Sequence, residues 1–448
     1  MCNSSWLSIA IKYAKVGNTD RSSSSRSSVN QRILILKKLW WCCLARDRVI
    51  SLGMRRPVQI RLEDFPFIKR KLSLDDFEKE ISHSEVYDYK TKKALCSIFI
   101  AQCDFSRVAT DLLTTVYPER TNSTKGDFAE NHVIFEEMMQ LQLGLSAWYF
   151  EFTTCTEYGG DYAHPSARLF LSLVSMYYQS ARMALCNHAN RLTADYELPE
   201  FLRATMKSYN AELCDAVTDI TESFKDLADA NMARYLPASA MACTVFPLIL
   251  WGMNVILSST PADRYRNAQN FGLLKGLNQL YSHRFDTKRL SVLIGQTLCF
   301  FRPKMVDIAM RYSGASFSDI FEKSPQTYVE LYLYLDSLIS ADRFLLIDGK
   351  DTSSPLPVPH QGERVGQNPP LKNPESEQPY EMVDQRLSDS GQSYEIEDQG
   401  IWETVSFPPS VNTLSNIEEG LPKLTEQNDE NNEKLGEDFF DYLAFAGE

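Results

Sequence analysis

The sequence predicts an all-α fold, a large irregular helical bundle followed by a disordered acidic C-terminal tail. Three observations lead to this prediction. Apolar residues recur at helical spacing through most of residues 1–343. The same region lacks sustained alternation of polar and apolar residues and lacks Asn-Gly or Asp-Gly turns between apolar segments. From about Leu345 onward, prolines, amides and acids replace most of the large apolar side chains.

Ten helices are expected in the N-terminal region. Segment 85–117 is typical, because Leu95, Phe99 and Cys103 recur at intervals of four residues and Pro118 closes the segment. A second segment, 128–152, carries so many large apolar residues that we expect it to pack on two sides. The predicted helices span residues 5–16, 31–52, 85–117, 129–155, 164–190, 199–231, 238–258, 264–282, 287–301 and 326–343.

Composition divides the chain into three parts. Residues 1–343 form the predicted helical domain, residues 344–436 a disordered linker that is first proline-rich and then acidic, and residues 437–448 an acidic-aromatic motif. The C-terminal 101 residues hold 22 acidic and 6 basic side chains, whereas the rest of the chain holds 37 and 40. Because so acidic a tail repels nucleic acid, any DNA contact must come from elsewhere.

One apolar stretch is long enough to suggest a membrane span. The 28 residues between Arg234 and Asp263 are uncharged, and about 20 apolar residues suffice to cross a bilayer. Pro247 and Asn254 interrupt the stretch, and no cluster of basic residues marks one flank. We therefore predict a central buried helix over 238–258 and no membrane partner, with membrane association as the alternative.

Motifs for catalysis and metal binding are missing from the sequence. The ten scattered cysteines include no C-x-x-C pair, so we expect buried thiols in a reducing compartment. The six histidines stand far apart, and neither a phosphate-binding loop nor a nucleophile elbow is present. The chain is therefore not expected to be an enzyme, and no catalytic residue, metal site or cofactor is expected within it.

The most informative segment is Lys37–Phe65, KKLWWCCLARDRVISLGMRRPVQIRLEDF. On a helix, Trp40 and Asp47 share one face and Trp41 lies opposite, so the helix is apolar nearly all round and should lie centrally. A buried carboxylate is costly unless it is paired, and nearby arginines are the candidate partners of Asp47. Those arginines are Arg46, Arg48, Arg55 and Arg56.

A glycine and a proline mark the end of this helix. Gly53 suits a C-terminal stop, and Pro57 prevents continuation. Together with the tryptophan pair and the Arg-Asp-Arg triplet, they form an ordered signature. The signature residues are Trp40, Trp41, Arg46, Asp47, Arg48, Gly53, Arg55, Arg56 and Pro57.

The signature resembles the fungal-specific transcription factor domain, the middle homology region of fungal zinc-cluster regulators. Leu62-Glu63-Asp64-Phe65 and Leu74-Asp75-Asp76-Phe77 are most similar to the cutinase transcription factor branch. The specific match covers residues 6–77. Within it, Asn18-Thr19-Asp20 departs from the histidine-arginine-aspartate that the family has near the end of the preceding helix.

The resemblance implies a nuclear regulator of RNA polymerase II transcription, acting as a homodimer or heterodimer. Members of the family carry an N-terminal six-cysteine zinc cluster that places a helix in the DNA major groove. We expect that cluster, its zinc and a coiled coil to precede residue 1, and the chain to derive from a truncated gene product or an incomplete gene model. DNA contact is then expected only through the absent module or through a partner.

The last residues interleave acids with bulky aromatic side chains. In a disordered segment this composition is typical of activation domains, whose aromatic residues enter a partner's groove as a short helix. The activation motif consists of Phe439, Phe440, Tyr442, Leu443 and Phe445. We expect it to recruit transcriptional coactivators, with docking back onto the bundle as the alternative. For the whole chain, the alternative is a helical interaction protein that binds no DNA and instead binds another regulator or a small effector.

Overall fold

A computed structural model describes residues 3–19, 26–67, 69–118, 128–155, 164–193, 200–282, 288–312 and 315–348. Within these ranges the fold is all-α, as predicted, with twelve α-helices and no strand. The helices are α1 (Asn3–Thr19), α2 (Arg26–Gly53), α3 (Glu78–Ser82), α4 (Tyr89–Val116), α5 (Phe128–Cys155), α6 (Pro165–Thr193), α7 (Glu200–Asp229), α8 (Ala238–Leu257), α9 (Pro261–Ser282), α10 (Lys288–Arg311), α11 (Phe317–Lys323) and α12 (Pro325–Asp348). The predicted acidic tail lies almost entirely outside the described residues.

Every helix that the periodicity predicts is present, with three differences. Helices α3 and α11 have five and seven residues, too few to show a helical period in the sequence. Helix α10 continues past its predicted end at residue 301 to Arg311, although Pro303 removes one backbone donor. Met305 and Ile308 are buried beyond this proline, so packing of the last turns offsets the missing hydrogen bond.

Helix α8 lies at the centre of the bundle. Sixteen of its twenty residues are buried, and it packs against α2, α6, α7, α9, α10 and α11. It is also long and apolar enough to cross a membrane, but here the neighbouring helices cover it, as expected for a central buried helix. The side-chain oxygen of Asn254 accepts a hydrogen bond from the backbone N–H of Phe317 at 2.6 Å, so this polar residue fixes the start of α11.

Two hydrophobic clusters form the core, and α2 contributes to both. The larger cluster surrounds α8 and includes Val49 and Leu52 from the C-terminal half of α2. The smaller cluster joins α1, segment 60–81 and α4 to the tryptophan pair of α2. Because α2 separates two cores, apolar side chains occupy nearly its whole circumference.

Helix α5 is buried on one face only. Phe135, Met138 and Trp148 pack in the larger cluster, but Leu143 and Phe150 are 59% and 70% exposed. The prediction that this segment packs on two sides is therefore wrong. Its main neighbours among the described residues, α4 and α6, leave the outer face uncovered.

Candidate functional site

The tryptophan pair of α2 is fully buried. Trp40 and Trp41 are each 1% exposed, and Phe65 meets both rings edge-on, with centroids 5.9 and 4.9 Å away. The indole nitrogen of Trp41 donates to the carbonyl oxygen of Arg70 at 3.2 Å. The two rings thus hold the irregular segment after Pro57 against α2, and truncation of such a side chain costs about 3–5 kcal/mol.

Asp47 and Arg48 form a buried ion pair on the same helix. Both side chains are 0% exposed, and Nη1 of Arg48 lies 2.5 Å from Oδ2 of Asp47. The same oxygen accepts hydrogen bonds from the backbone N–H groups of Gln59 and Ile60, each at 2.9 Å. The structure therefore places Asp47 in the predicted buried position and selects Arg48 as its partner.

Arg48 uses its other nitrogens to join two further elements. Nε donates to Oγ1 of Thr110 on α4 at 2.8 Å, and Nη2 donates to the carbonyl oxygen of Ile60 at 2.7 Å. Burial raises the pKa of Asp47 and lowers the pKa of Arg48 to about 10, while each charge opposes the shift of the other. Because burial still raises one pKa and lowers the other, the attraction between the two charges offsets only part of the cost of desolvating them. The pair therefore fixes the geometry of the surrounding segments more than it adds net stability.

Two lysines of α2 anchor the segment that follows. Nζ of Lys37 lies 2.7 Å from a carboxylate oxygen of Asp76. Lys38 pairs with Glu80, and its ammonium group sits 4.6 Å from the centre of the Phe77 ring. The region of the family resemblance therefore folds as one unit, with α2 as its scaffold.

Helix α2 ends at Gly53, as predicted, but Gly53 does not take the left-handed conformation that often follows a helix. Gly53 is the last helical residue, and the left-handed position belongs to Arg55, with φ of 48°. The N–H of Arg56 donates to the carbonyl oxygen of Ser51 at 3.1 Å and closes the helix end. Gly53 serves packing instead, because a Cβ there would lie 2.6 Å from the Cβ of Ala242 on α8.

Arg55 reaches across the bundle to α12. Its Nη1 donates to Oδ1 of Asp336 at 2.7 Å, and its guanidinium carbon lies 4.8 and 5.6 Å from the ring centres of Tyr332 and Phe246. A left-handed conformation costs a non-glycine residue about 1–2 kcal/mol, which these contacts offset. The signature is thereby joined to the helix that precedes the acidic tail.

The remaining signature residues are Arg46, Arg56 and Pro57. Arg46 is exposed, and Pro57 is half-buried with its carbonyl oxygen 3.4 Å from the Ser51 hydroxyl. Arg56 lies near enough to Asp47 to favour the charged form of that carboxylate. The aromatic residues of the predicted activation motif lie outside the described residues.

Burial keeps two thiols and one imidazole of the described region in their neutral forms. Burial raises the pKa of Cys42 and of Cys43 to about 11, which keeps both thiols protonated. Burial and the charge of Arg191 lower the pKa of His188 to about 4, so its ring stays neutral. Within this part of the chain no three His, Cys, Asp or Glu residues are placed to hold a metal.

The class of protein that the signature predicts, a fungal transcription factor, is also the class that sequence comparison finds. Over 293 residues the chain is 24% identical to Cutinase transcription factor 1 beta of Fusarium vanettenii, covering 59% of this chain and 33% of that protein. A 73-residue stretch is 30% identical to a protein named Transcription factor from Fusarium pseudograminearum, covering 16% of this chain and 8% of that one. The predicted resemblance to the cutinase transcription factor branch is confirmed.

The similarity extends over only part of these relatives. The chain spans about a third of the length of Cutinase transcription factor 1 beta. No protein-family model matches the chain, and no solved structure matches it. The described helices alone therefore define the fold.

The sequence did not reveal the residues that bind Asp47, Arg48 and Arg55 from other segments of the chain. Thr110 and Asp336 bond to arginines that are 62 and 281 positions away in the sequence. Gln59 and Ile60 bind Asp47 through their backbone N–H groups, which their residue types do not reveal. One pattern could have indicated the site that Arg55 occupies on α12: Tyr332 and Asp336 are four residues apart and so share a helical face.

Proposed function

We propose that the chain is a transcription regulator of the fungal zinc-cluster family. It regulates RNA polymerase II transcription in the nucleus through a helical regulatory domain and an acidic activation tail. The observation that carries this proposal is the similarity over 293 residues to Cutinase transcription factor 1 beta.

The proposal assigns a role to each part of the chain. Residues 1–343 form the regulatory domain, with Asp47 and Arg48 holding its N-terminal segments together. Residues 344–436 link this domain to the motif at 437–448, which recruits coactivators. A helical domain whose signature is tied to α12 by Arg55 suits this role, since α12 leads along the chain into the linker.

DNA recognition belongs to a module outside these residues or to a partner. A zinc cluster needs six closely spaced cysteines, and none of the ten cysteines here forms a C-x-x-C pair. Mapping the 5′ end of the transcript tests this assignment. An in-frame six-cysteine cluster upstream of Met1 supports a DNA-binding module on this chain, whereas an in-frame stop codon shortly before Met1 contradicts that module and assigns DNA recognition to a partner.

The activation motif is tested by fusing Glu437–Phe445 to an unrelated DNA-binding domain and measuring a reporter gene. We expect activation, because the acids keep the aromatic side chains solvated until a partner's groove takes them up. Replacing Phe440 and Leu443 together by alanine should abolish the signal, since both apolar anchors are lost.

The matched control uses a longer fusion of residues 429–448, in which replacement of Asn431 and Asn432 by alanine is compared with replacement of Phe440 and Leu443 by alanine. These amides lie in the same tail but supply no apolar anchor, so the reporter signal should stay unchanged. An inactive fusion, or activation that survives loss of Phe440 and Leu443, would show that the motif does not activate.

A further inference from the structure

Helix α1 presents an apolar stripe to solvent. Trp6, Tyr13 and Val16 are 60%, 72% and 65% exposed, whereas the opposite face of the helix is buried against α2. With the partly buried Ile9 between them, they recur at the three- and four-residue spacing of one helical face. Contiguous apolar surface of this kind marks a site of interaction. We call Trp6, Ile9, Tyr13 and Val16 the α1 stripe.

A second stripe runs along α5. Met139, Leu143 and Phe150, here called the α5 stripe, are exposed on one face of this helix. It is the face for which the sequence predicted a packing neighbour and which α4 and α6 leave uncovered. At 1.5 Å per residue the α5 stripe is about 17 Å long and the α1 stripe about 15 Å long. The two stripes therefore match in length.

The charges that flank the two stripes are opposite. Helix α1 contains Lys12 and Lys15 and no acidic residue, and both lysines are exposed. Helix α5 contains four glutamates and neither lysine nor arginine, and Glu136 and Glu151 are exposed next to the α5 stripe. A helix with the charge of α1 therefore suits the surface of α5, since complementary charges favour association.

Helix α7 extends the acidic surface beside α5. The side-chain nitrogen of Gln142 on α5 donates to a carboxylate oxygen of Glu212, so the two helices meet at this point. From Glu212 onward, acidic residues recur along one face of α7. They are Glu212, Asp215, Asp219, Glu222, Asp226 and Asp229. Arg182 lies 4.0 and 3.7 Å from carboxylate oxygens of Glu212 and Asp219, and this one arginine offsets only part of the charge.

The two stripes leave each other exposed within one chain. Helix α1 is held against α2, and α5 is held against α4 and α6, so neither helix is free to reach the other. A second copy of the chain can supply the missing contact. Pairing α1 with α1, or α5 with α5, would bring like charges together and oppose association. Pairing α1 with α5 brings opposite charges together.

We propose that the α1 stripe of one copy docks on the α5 stripe of a second copy, head to tail. The apolar side chains cover each other, and Lys12 and Lys15 lie beside the acidic residues of α5 and α7. Because the two surfaces differ, each docked copy keeps one stripe free for a further copy unless the assembly closes into a ring. One helix pair buries a small interface, so the association is weak and depends on concentration. It would also gather the acidic tails of several copies, an effect on transcription that rests on the proposed function, whereas association itself does not.

Association is tested by sedimentation velocity on the purified full chain over a wide range of concentrations, and we expect the mean mass to rise with concentration. Tyr13→Glu and Phe150→Lys should each weaken association about tenfold or more, because each places a like charge in the contact. Met310→Glu is the control, since this residue is 82% exposed on α10 and belongs to neither stripe. A wild-type chain that stays monomeric, unchanged association of the Tyr13→Glu or Phe150→Lys protein, or an equal loss with Met310→Glu overturns the proposal.

Mixing the two variants tests the head-to-tail arrangement. The Tyr13→Glu chain keeps its α5 stripe and the Phe150→Lys chain keeps its α1 stripe, so the mixture should form one-to-one pairs and no larger species. A symmetric contact predicts instead that one of the two variants associates by itself as the wild type does. Circular dichroism establishes that each variant folds. A mixture of folded variants that stays monomeric, or a variant that associates alone like the wild type, overturns the proposal.

Discussion

Replacing Asp47 by alanine should destabilise the helical domain severely. The change removes the acceptor of Arg48 Nη1 and of the N–H groups of Gln59 and Ile60. Both backbone hydrogen bonds end on a charged carboxylate, and such bonds are worth about 1.5–3 kcal/mol each; the uncompensated buried charge of Arg48 adds to that loss. Breaking a buried pair in this way typically costs about 3–5 kcal/mol, a large part of the 5–15 kcal/mol that stabilises an ordinary domain.

The assay is equilibrium unfolding in urea followed by circular dichroism at pH 7. Arg48→Met removes the buried charge, so Asp47→Ala combined with Arg48→Met should be less unstable than the sum of the single changes, by about 2 kcal/mol. Glu63→Ala is the control, because the Arg61–Glu63 pair is exposed and exposed pairs contribute about 0–1 kcal/mol. A loss below about 1 kcal/mol for Asp47→Ala, or strict additivity with Arg48→Met, would refute the reasoning.

Two further changes follow from packing and from titration. Gly53→Ala forces a Cβ to within 2.6 Å of the Cβ of Ala242, so it should lower the free energy of unfolding in urea by about 1–3 kcal/mol. The control Gly272→Ala places a Cβ with no atom within 4 Å and should be neutral or raise that free energy by up to about 1 kcal/mol. Equal effects of the two changes would contradict the close approach of α2 and α8. Burial and Arg191 lower the pKa of His188 to about 4, so its contribution to stability is present above pH 6.5 and is lost as the pH falls toward 4. From pH 7 to pH 5 the wild type should therefore lose about 2 kcal/mol more unfolding free energy than His188→Asn, and parallel pH profiles would contradict this.

The helices were predictable where one face determines their periodicity. The 3.6-residue pattern identifies α4 through Leu95, Phe99 and Cys103, and Pro118 marks where it must end. Helix α10 departs from this rule, because burial of Met305 and Ile308 beyond Pro303 depends on neighbours that a local pattern does not include. The two-sided packing expected of α5 failed for the same reason, since composition does not say which neighbours are available.

The candidate site was predictable in its residues and less so in its connections. Burial of Asp47 followed from its position in an apolar stripe, because an ionised side chain there requires a partner. Which arginine serves it did not follow, since Arg48 and Arg55 are both within reach in the sequence. The structure gives the first to Asp47 and the second to Asp336, a choice set by tertiary packing. Gly53 marks the helix end as the sequence predicts, but the close approach of α8 that its missing side chain allows depends on tertiary packing.

Regulation of transcription by this chain is tested most directly by tethering it to a promoter. Residues 1–448 and residues 1–436 are each fused to the same unrelated DNA-binding domain, and a nuclear reporter gene is measured at equal protein levels. The proposed function predicts that the full chain activates the reporter and that removal of residues 437–448 abolishes most of the activation. A full-chain fusion no more active than the DNA-binding domain alone, or a truncated fusion just as active as the full chain, would contradict it.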